Sequence, residues 1–250
     1  YFMRAMILAA GLGTRLKPFT DHHPKALAMV NGKSLLQRNI EYLQQYGIKE
    51  VIVNVHHFAD QIIDAVQTNN GWGSIVTISD ETDEVLETGG GLLRAKNYFI
   101  EEERWILMNA DILTDLPLDK MIVADELFTQ KAEGDLMATL AVTNRATSRN
   151  LIFNAAGTLC GWKNNTTGEE KWANPLKDIN TAVPKAFSGI HIVHQTFFDA
   201  VELTGKFSMI DAYLQLAQHY AIHYYDHSDG ILLDVGKPES LEKANSLFKP

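Results

Sequence analysis

Between residues 8 and 25 the chain carries Leu8-Ala9-Ala10-Gly11-Leu12-Gly13-Thr14-Arg15 and, ten residues further on, Pro24-Lys25. Gly11 and Gly13 allow close backbone approach and conformations that a Cβ forbids. Consecutive amides in such a turn can form an anion-binding concavity. Arg15 offers a planar fork for phosphate oxygens and Lys25 a mobile point charge. The simplest chemistry for this set is retention of a polyphosphate. Two other phosphate loops are excluded. A dinucleotide fingerprint needs a third glycine at position 16, which is Leu16. A Walker A loop ending in Gly32-Lys33-Ser34 needs glycine at position 27, which is Leu27. Ser34 and Gln37 read instead as a capping box at the start of a helix.

Other chemistry-bearing residues are open to two readings each. Asp111 ends the apolar run that starts at Trp105, on the sheet edge that carries the glycine loop. A carboxylate there suits Mg²⁺, which takes one or two carboxylates and keeps water and phosphates as its other ligands. Taken alone, a strand-end Asp is more often a turn or cap residue than a metal ligand, and Asp234 in Leu233-Asp234-Val235-Gly236 reads the same way. Leu86-Glu87-Thr88-Gly89-Gly90-Gly91 places a permissive turn ahead of a helix, where amides can reach a phosphate or a base edge. An ordinary loop has the same composition. The pairs His22-His23 and His56-His57 are poor chelates, because neighbouring strand residues point to opposite faces. They are assigned to surface or packing roles. Cys160, the single cysteine, reads as a small packing residue.

These residues hang on an alternating pattern of strands and helices. Apolar runs at 5–9, 50–55, 74–79, 105–108, 136–143 and 186–193 read as strands. Helical spacing occupies 34–46, 59–66, 116–131, 196–203, 208–219 and 239–248. Residues 151–153 and 158–162 suggest a hairpin, and the polar stretch 163–184 a surface excursion. Such alternation implies βαβ units and a mainly parallel sheet, with ligands at the carboxyl ends of its strands.

The 250 residues suffice for one sizeable α/β domain. A net charge of -9 argues against a nucleic-acid partner, which would need a basic face. The lone cysteine fits a reducing compartment, no run is long enough for a membrane span, and no secretory signal is visible. The expected location is cytoplasmic. Tyr1 and Phe2 are given no role.

The Gly-x-Gly-Thr-Arg pattern followed by Pro-Lys resembles the sugar-1-phosphate nucleotidyltransferases, or nucleotide-sugar pyrophosphorylases, over nearly the whole chain. Within them it is most similar to N-acetylmuramate-1-phosphate uridylyltransferases and short mannose-1-phosphate guanylyltransferases. The resemblance implies an α/β, Rossmann-like (GT-A-like) three-layer sandwich with a mixed, mainly parallel central sheet. It implies one domain over residues 3–250, with a nucleotide-binding half at about 3–115 and a sugar-phosphate-binding half at about 116–250. The reaction implied joins a nucleoside triphosphate and a sugar 1-phosphate, releasing pyrophosphate, with Mg²⁺ as cofactor and the protein a monomer or homodimer.

By the same resemblance Arg15, Lys25 and Asp111 are catalytic. Leu8, Ala10, Gly11, Gly13, Thr14, Arg15, Lys25, Thr88, Gly89 and Asn109 contact the nucleotide. Glu87 and Gly189 contact the sugar, and Asp111 and Asp234 hold the metal. Two departures bear on the sugar. Ala110 stands where the family more often has glycine, and Glu170-Lys171-Trp172 stands where many relatives have Glu-Lys-Pro, so that phosphate contact is not carried over. UTP with N-acetylmuramate 1-phosphate or a related hexose 1-phosphate is the expected pair, and GTP with mannose 1-phosphate the alternative. A glycosyltransferase, suggested by Asn109-Ala110-Asp111, and a non-catalytic nucleotide-binding regulator are the rival classes.

Overall fold

The structure, a computed structural model, describes residues 3–132, 135–173 and 181–249. Strand β1 (Ala5–Leu8) lies at the centre, parallel to β4 (Glu50–Val55) on one side and β6 (Arg104–Asn109) on the other. Two short strands, β2 (Met29–Val30) and β3 (Lys33–Ser34), form a hairpin between them in sequence. Beyond β4 comes β5 (Ile75–Asp80), also parallel. The β6 side continues antiparallel through β12 (Val183–His194), β8 (Leu136–Thr143) and then β13 (Ala221–Asp226), which is parallel to β8. An antiparallel meander of β9 (Arg149–Phe153), β10 (Leu159–Asn164) and β11 (Glu170–Trp172) joins the start of β12, completing a ten-stranded sheet.

Alternation along the central strands divides the core into two layers. Ala5 and Ile7 of β1, Val51, Val53 and Val55 of β4, and Ile106 and Met108 of β6 face one side. Against them pack helices α1 (Leu35–Gln45), α2 (Ala59–Thr68) and α4 (Leu118–Lys131). Met6, Leu8, Ile52, Trp105 and Leu107 face the other, against α3 (Glu87–Arg94), the one-turn α5 (Phe197–Ala200) and α6 (Met209–Leu216). Strands buried on both faces lack polar alternation, which is why these runs are continuously apolar. Among the described residues no helix is long and apolar enough to cross a membrane.

Several elements differ from the sequence expectation. Residues 163–184 are only partly an excursion, because 170–172 pair with β10 as β11; residues 174–180 lie outside the described residues. The helix expected over 196–203 is confined to Phe197–Ala200. Only half of the capping box forms. Ser34 Oγ accepts from the Gln37 amide at 3.1 Å, but the Gln37 side chain donates to Glu41 instead. The three glycines 89–91 lie within α3 rather than in a turn before it. A Cβ on Gly89 would collide with Phe207, and one on Gly90 with the Gly205 carbonyl, so the helix can approach the segment before α6 this closely only with glycines there.

Candidate active site

Register assembles the site. Leu8 is the Cα partner of both Asn54 and Asn109, so β1, β4 and β6 end side by side. Over that edge lies a cleft of about 550 Å³. Its lining runs from Leu8 through Arg15, continues with Lys25 and the 85–88 segment, and ends on Asn109, Ala110 and Asp111. The glycine loop leaves β1 directly into it. Gly13 has φ +61°, and a Cβ there would lie 2.9 Å from Lys25 Cβ and 3.0 Å from Thr20 Cγ2. Thr20 Oγ1 fixes the loop by donating to the Gly13 carbonyl at 2.9 Å. The amides of Gly11, Leu12 and Gly13 donate to no protein acceptor among the described residues. They remain available to an anion.

The two acidic positions meet through a small separate sheet. Strand β14 (Leu232–Asp234) pairs antiparallel with β7 (Ile112–Thr114), placing Asp234 opposite Ile112. The Val235 amide donates to the Asp111 carbonyl at 2.8 Å. Lys25 Nζ donates to Asp111 Oδ2. Asp234 Oδ1 is buried and has no hydrogen-bond partner among the described residues. Burial and then the neighbouring Asp111 charge push the Asp234 carboxyl above its ordinary value, against the pull of Lys25, Arg15 and Arg145. A Cβ at Gly236 would lie 2.8 Å from Asp234 Oδ1 and 3.1 Å from Arg15 Nη2, so glycine leaves room for both groups.

The remaining expected positions are distributed unevenly. Leu8, Ala10, Gly11, Gly13, Thr14, Arg15, Lys25, Glu87, Thr88, Asn109 and Asp111 all line the cleft. Thr88 Oγ1 also accepts from the Met209 amide at 2.9 Å, tying the cleft wall to α6. Gly89 does not line it; its amide donates to the Phe207 carbonyl at 2.9 Å. Gly189 lies below the lining, with φ +75° and the Asn109 side chain where its Cβ would be. It occupies a register irregularity in β12 between Phe187 and His191.

Sequence reasoning missed Asn54, Glu81, His56, Lys206 and Ser208, which line the same cleft. Asn54 Oδ1 accepts from the Ala9 amide at 2.7 Å, and its Nδ2 donates to Glu81 Oε1 at 2.8 Å. Burial pushes the Glu81 carboxyl upward despite the Asn54 hydrogen bond. His56 Nδ1 lies 2.6 Å from the Glu81 carbonyl. The available signal was a polar Asn inside an otherwise apolar strand, at the residue aligned with Leu8. No group of three metal-ligating side chains occurs among the described residues. Cys160 is buried and free, and burial pushes its thiol upward.

Residues 4–150 match the family model described as Nucleotidyl transferase. The chain belongs to that family. The chain is 43% identical over 93 residues to the N-acetylmuramate alpha-1-phosphate uridylyltransferase of Caulobacter vibrioides, covering 36% of the chain and 38% of that protein. It is 38% identical over 114 residues to the Neisseria meningitidis protein of the same name, covering 46% and 49%. The chain thus spans less than half the length of these two curated relatives. With the D-glycero-alpha-D-manno-heptose 1-phosphate guanylyltransferase of Aneurinibacillus thermoaerophilus it shares 26% identity over 97% of the chain and 96% of that protein. Among solved structures, HddC from Yersinia pseudotuberculosis complexed with GMP-PN superposes with a TM-score of 0.76 at 26% identity, covering 99% of the chain and all of HddC. The mixed sheet, parallel across its central strands β6, β1, β4 and β5, is thus the nucleotidyltransferase fold.

Proposed function

We propose that the protein joins a nucleoside triphosphate to a sugar 1-phosphate, giving a nucleotide sugar and pyrophosphate. The observation that carries this reading is the meeting of Arg15, Lys25, Asp111 and Asp234 at the end of the glycine loop. A sugar 1-phosphate oxygen attacks the α-phosphorus, and the bond to the departing pyrophosphate breaks. The nucleophile is already anionic near neutral pH, so the reaction needs no protein base. What it needs is alignment of two repelling anions and stabilisation of the charge being transferred. The free amides of 11–13 and the Arg15 guanidinium hold the β- and γ-phosphates. Lys25 meets the charge at the α-phosphate.

Asp111 and Asp234 are the residues that would hold Mg²⁺. The fit is supported by the buried Asp234 Oδ1, an acceptor without a donor beside a second carboxylate. Two carboxylates completed by substrate phosphates match the habit of Mg²⁺. The ion supplies neutralisation of phosphate charge when bound.

The nucleotide half is assigned to about residues 3–115 and the sugar-phosphate half to about 116–250, in the cytoplasm. UTP with N-acetylmuramate 1-phosphate, or a related hexose 1-phosphate, is favoured by the identity to the two uridylyltransferases over 93 and 114 residues. GTP is the second reading, favoured by the match to a guanylyltransferase along the whole chain. Pyrophosphate release across a matrix of nucleoside triphosphates and sugar 1-phosphates tests both. One strong combination, silent in Asp111→Asn, is the expected result. No release from any combination, with nucleotide binding intact, would overturn the catalytic reading in favour of a regulatory homologue.

A further inference from the structure

The side chains of Asp111 and Lys25 are only 21% and 13% exposed. Their contact is therefore screened less than a surface ion pair. Beside it stands a second carboxylate, Asp234, with one oxygen unpartnered, and a second cation, Arg15, against Gly236. The four charges balance. The Lys25 stem runs past Gly13, whose missing Cβ leaves room for Lys25 Cβ and Cδ. The ammonium therefore sits between the anion loop and Asp111, within reach of both through a flexible four-carbon stem.

We propose that Lys25 is a placeholder for the divalent cation, holding the Asp111 carboxylate until a triphosphate draws the ammonium away and leaves both carboxylates to the metal. This rests on the nucleotidyl-transfer reading above. With Lys25 seated, an approaching divalent cation meets one neutralised carboxylate and one free one. A triphosphate carries enough negative charge on the loop side to attract the ammonium. Once Lys25 moves, Asp111 and Asp234 present two negative charges to a doubly charged ion. Metal and nucleotide then favour each other's binding, and by linkage the gain is the same in both directions. Lys25 has two successive partners, and its position in this structure is the first of them.

The test uses Mn²⁺ alone, followed by the electron paramagnetic resonance signal of the free ion, with no nucleotide present. Lys25→Met is expected to bind Mn²⁺ at least about tenfold more tightly than wild type. Arg15→Met removes an equal charge that is not seated on Asp111 and should change the affinity by less than about threefold. A Lys25→Met affinity within about twofold of wild type, or equal gains in the two variants, would overturn the placeholder role. Melting curves establish that each variant is folded.

A second arm measures metal-free UTP and GTP binding in EDTA. Asp111→Asn frees Lys25 and should tighten binding of the preferred nucleotide at least about fivefold, whereas unchanged or weaker binding contradicts the exchange. This arm decides the matter if Lys25→Met does not fold. If wild-type protein binds neither nucleotide, the nucleotidyl-transfer reading fails, while the Mn²⁺ comparison still reports on Lys25.

Discussion

In the proposed reaction Asp111, Asp234, Arg15 and Lys25 divide the labour of the site by chemistry rather than by proximity alone. The carboxylates are held by backbone pairing of β7 and β14, and the cations come from short 3-10 helical turns, Thr14–Leu16 and Lys25–Leu27. Losing one charge-stabilising group of this kind typically costs about a hundredfold in turnover. Arg15→Ala should lose that much in steady-state pyrophosphate release, with its melting temperature nearly unchanged. Gly236→Ala is a finer probe. Its backbone is not in the left-handed region, so the substitution acts only by crowding Asp234 and Arg15. Misplacement by about 1 Å can cost about a hundredfold. Turnover should therefore fall by at least about tenfold without loss of folded protein. Wild-type turnover would mean that these two groups are not held in a working geometry.

At the level of elements, the wall of the cleft depends on α3 lying against the segment that leads into α6. The Gly89 and Gly90 amides both donate to the Phe207 carbonyl, and Thr88 accepts from the Met209 amide. A methyl group at Gly90 meets the Gly205 carbonyl, which is backbone and cannot rotate away. Overpacking of this kind costs about 1–3 kcal/mol. Gly90→Ala should lower the urea midpoint by a corresponding amount. Because α3 and the 205–208 segment carry cleft residues at both ends of the contact, it should also raise KM for the nucleotide. A variant of wild-type stability would show that the two elements separate at little cost. The Asn54–Glu81 pair does for the β1 end what Thr88 does for α6. Glu81→Ala leaves Asn54 Nδ2 without its acceptor and should destabilise by about 1–3 kcal/mol, read from the same denaturant curves.

The whole molecule carries buried titratable groups that link its stability to pH. His191, inside the sheet, has its pKa pushed down to about 3 by complete burial; its Nδ1 lies 2.6 Å from the Tyr213 hydroxyl. Burial lowers His227 as well, against the pull of Asp226 and Asp115. A histidine lowered on folding stays neutral in the folded chain while the unfolded chain takes up a proton. Stability is therefore intact above about pH 6.5 and falls as the pH drops below it, by up to about 1.4 kcal/mol per pH unit for each such residue. Asp125 adds to this at lower pH. Burial raises its carboxyl, but hydrogen bonds from His194, Thr139 and Arg104 outweigh that and hold it below its ordinary value. Its contribution is present above about pH 4 and is lost as the pH falls through the folded value. Urea midpoints should thus decline from pH 7 to pH 5, and His191→Gln should flatten that decline. A slope unchanged by the substitution would mean that His191 titrates alike in the folded and unfolded chains.

The sequence by itself determined most of the longer strands and the glycine loop, because each is local, but not β13 or the short β2, β3, β7 and β11. Periodicity decides which faces are apolar, and Gly11, Gly13, Arg15 and Lys25 fall within one short stretch. Their chemistry is readable from residue type and spacing. Only the tertiary structure decided which distant residues meet. Asp234 comes beside Asp111 through the pairing of β14 with β7, a long-range register that no local pattern encodes. Asn54 and Glu81 enter the cleft because β4 and β5 end level with β1. Gly89 leaves it because α3 turns that glycine toward Phe207. In sequence those glycines read as a turn, since flexibility and close packing both call for a missing side chain. Which of the two applies depends on what lies opposite, and that is set only when the chain has folded.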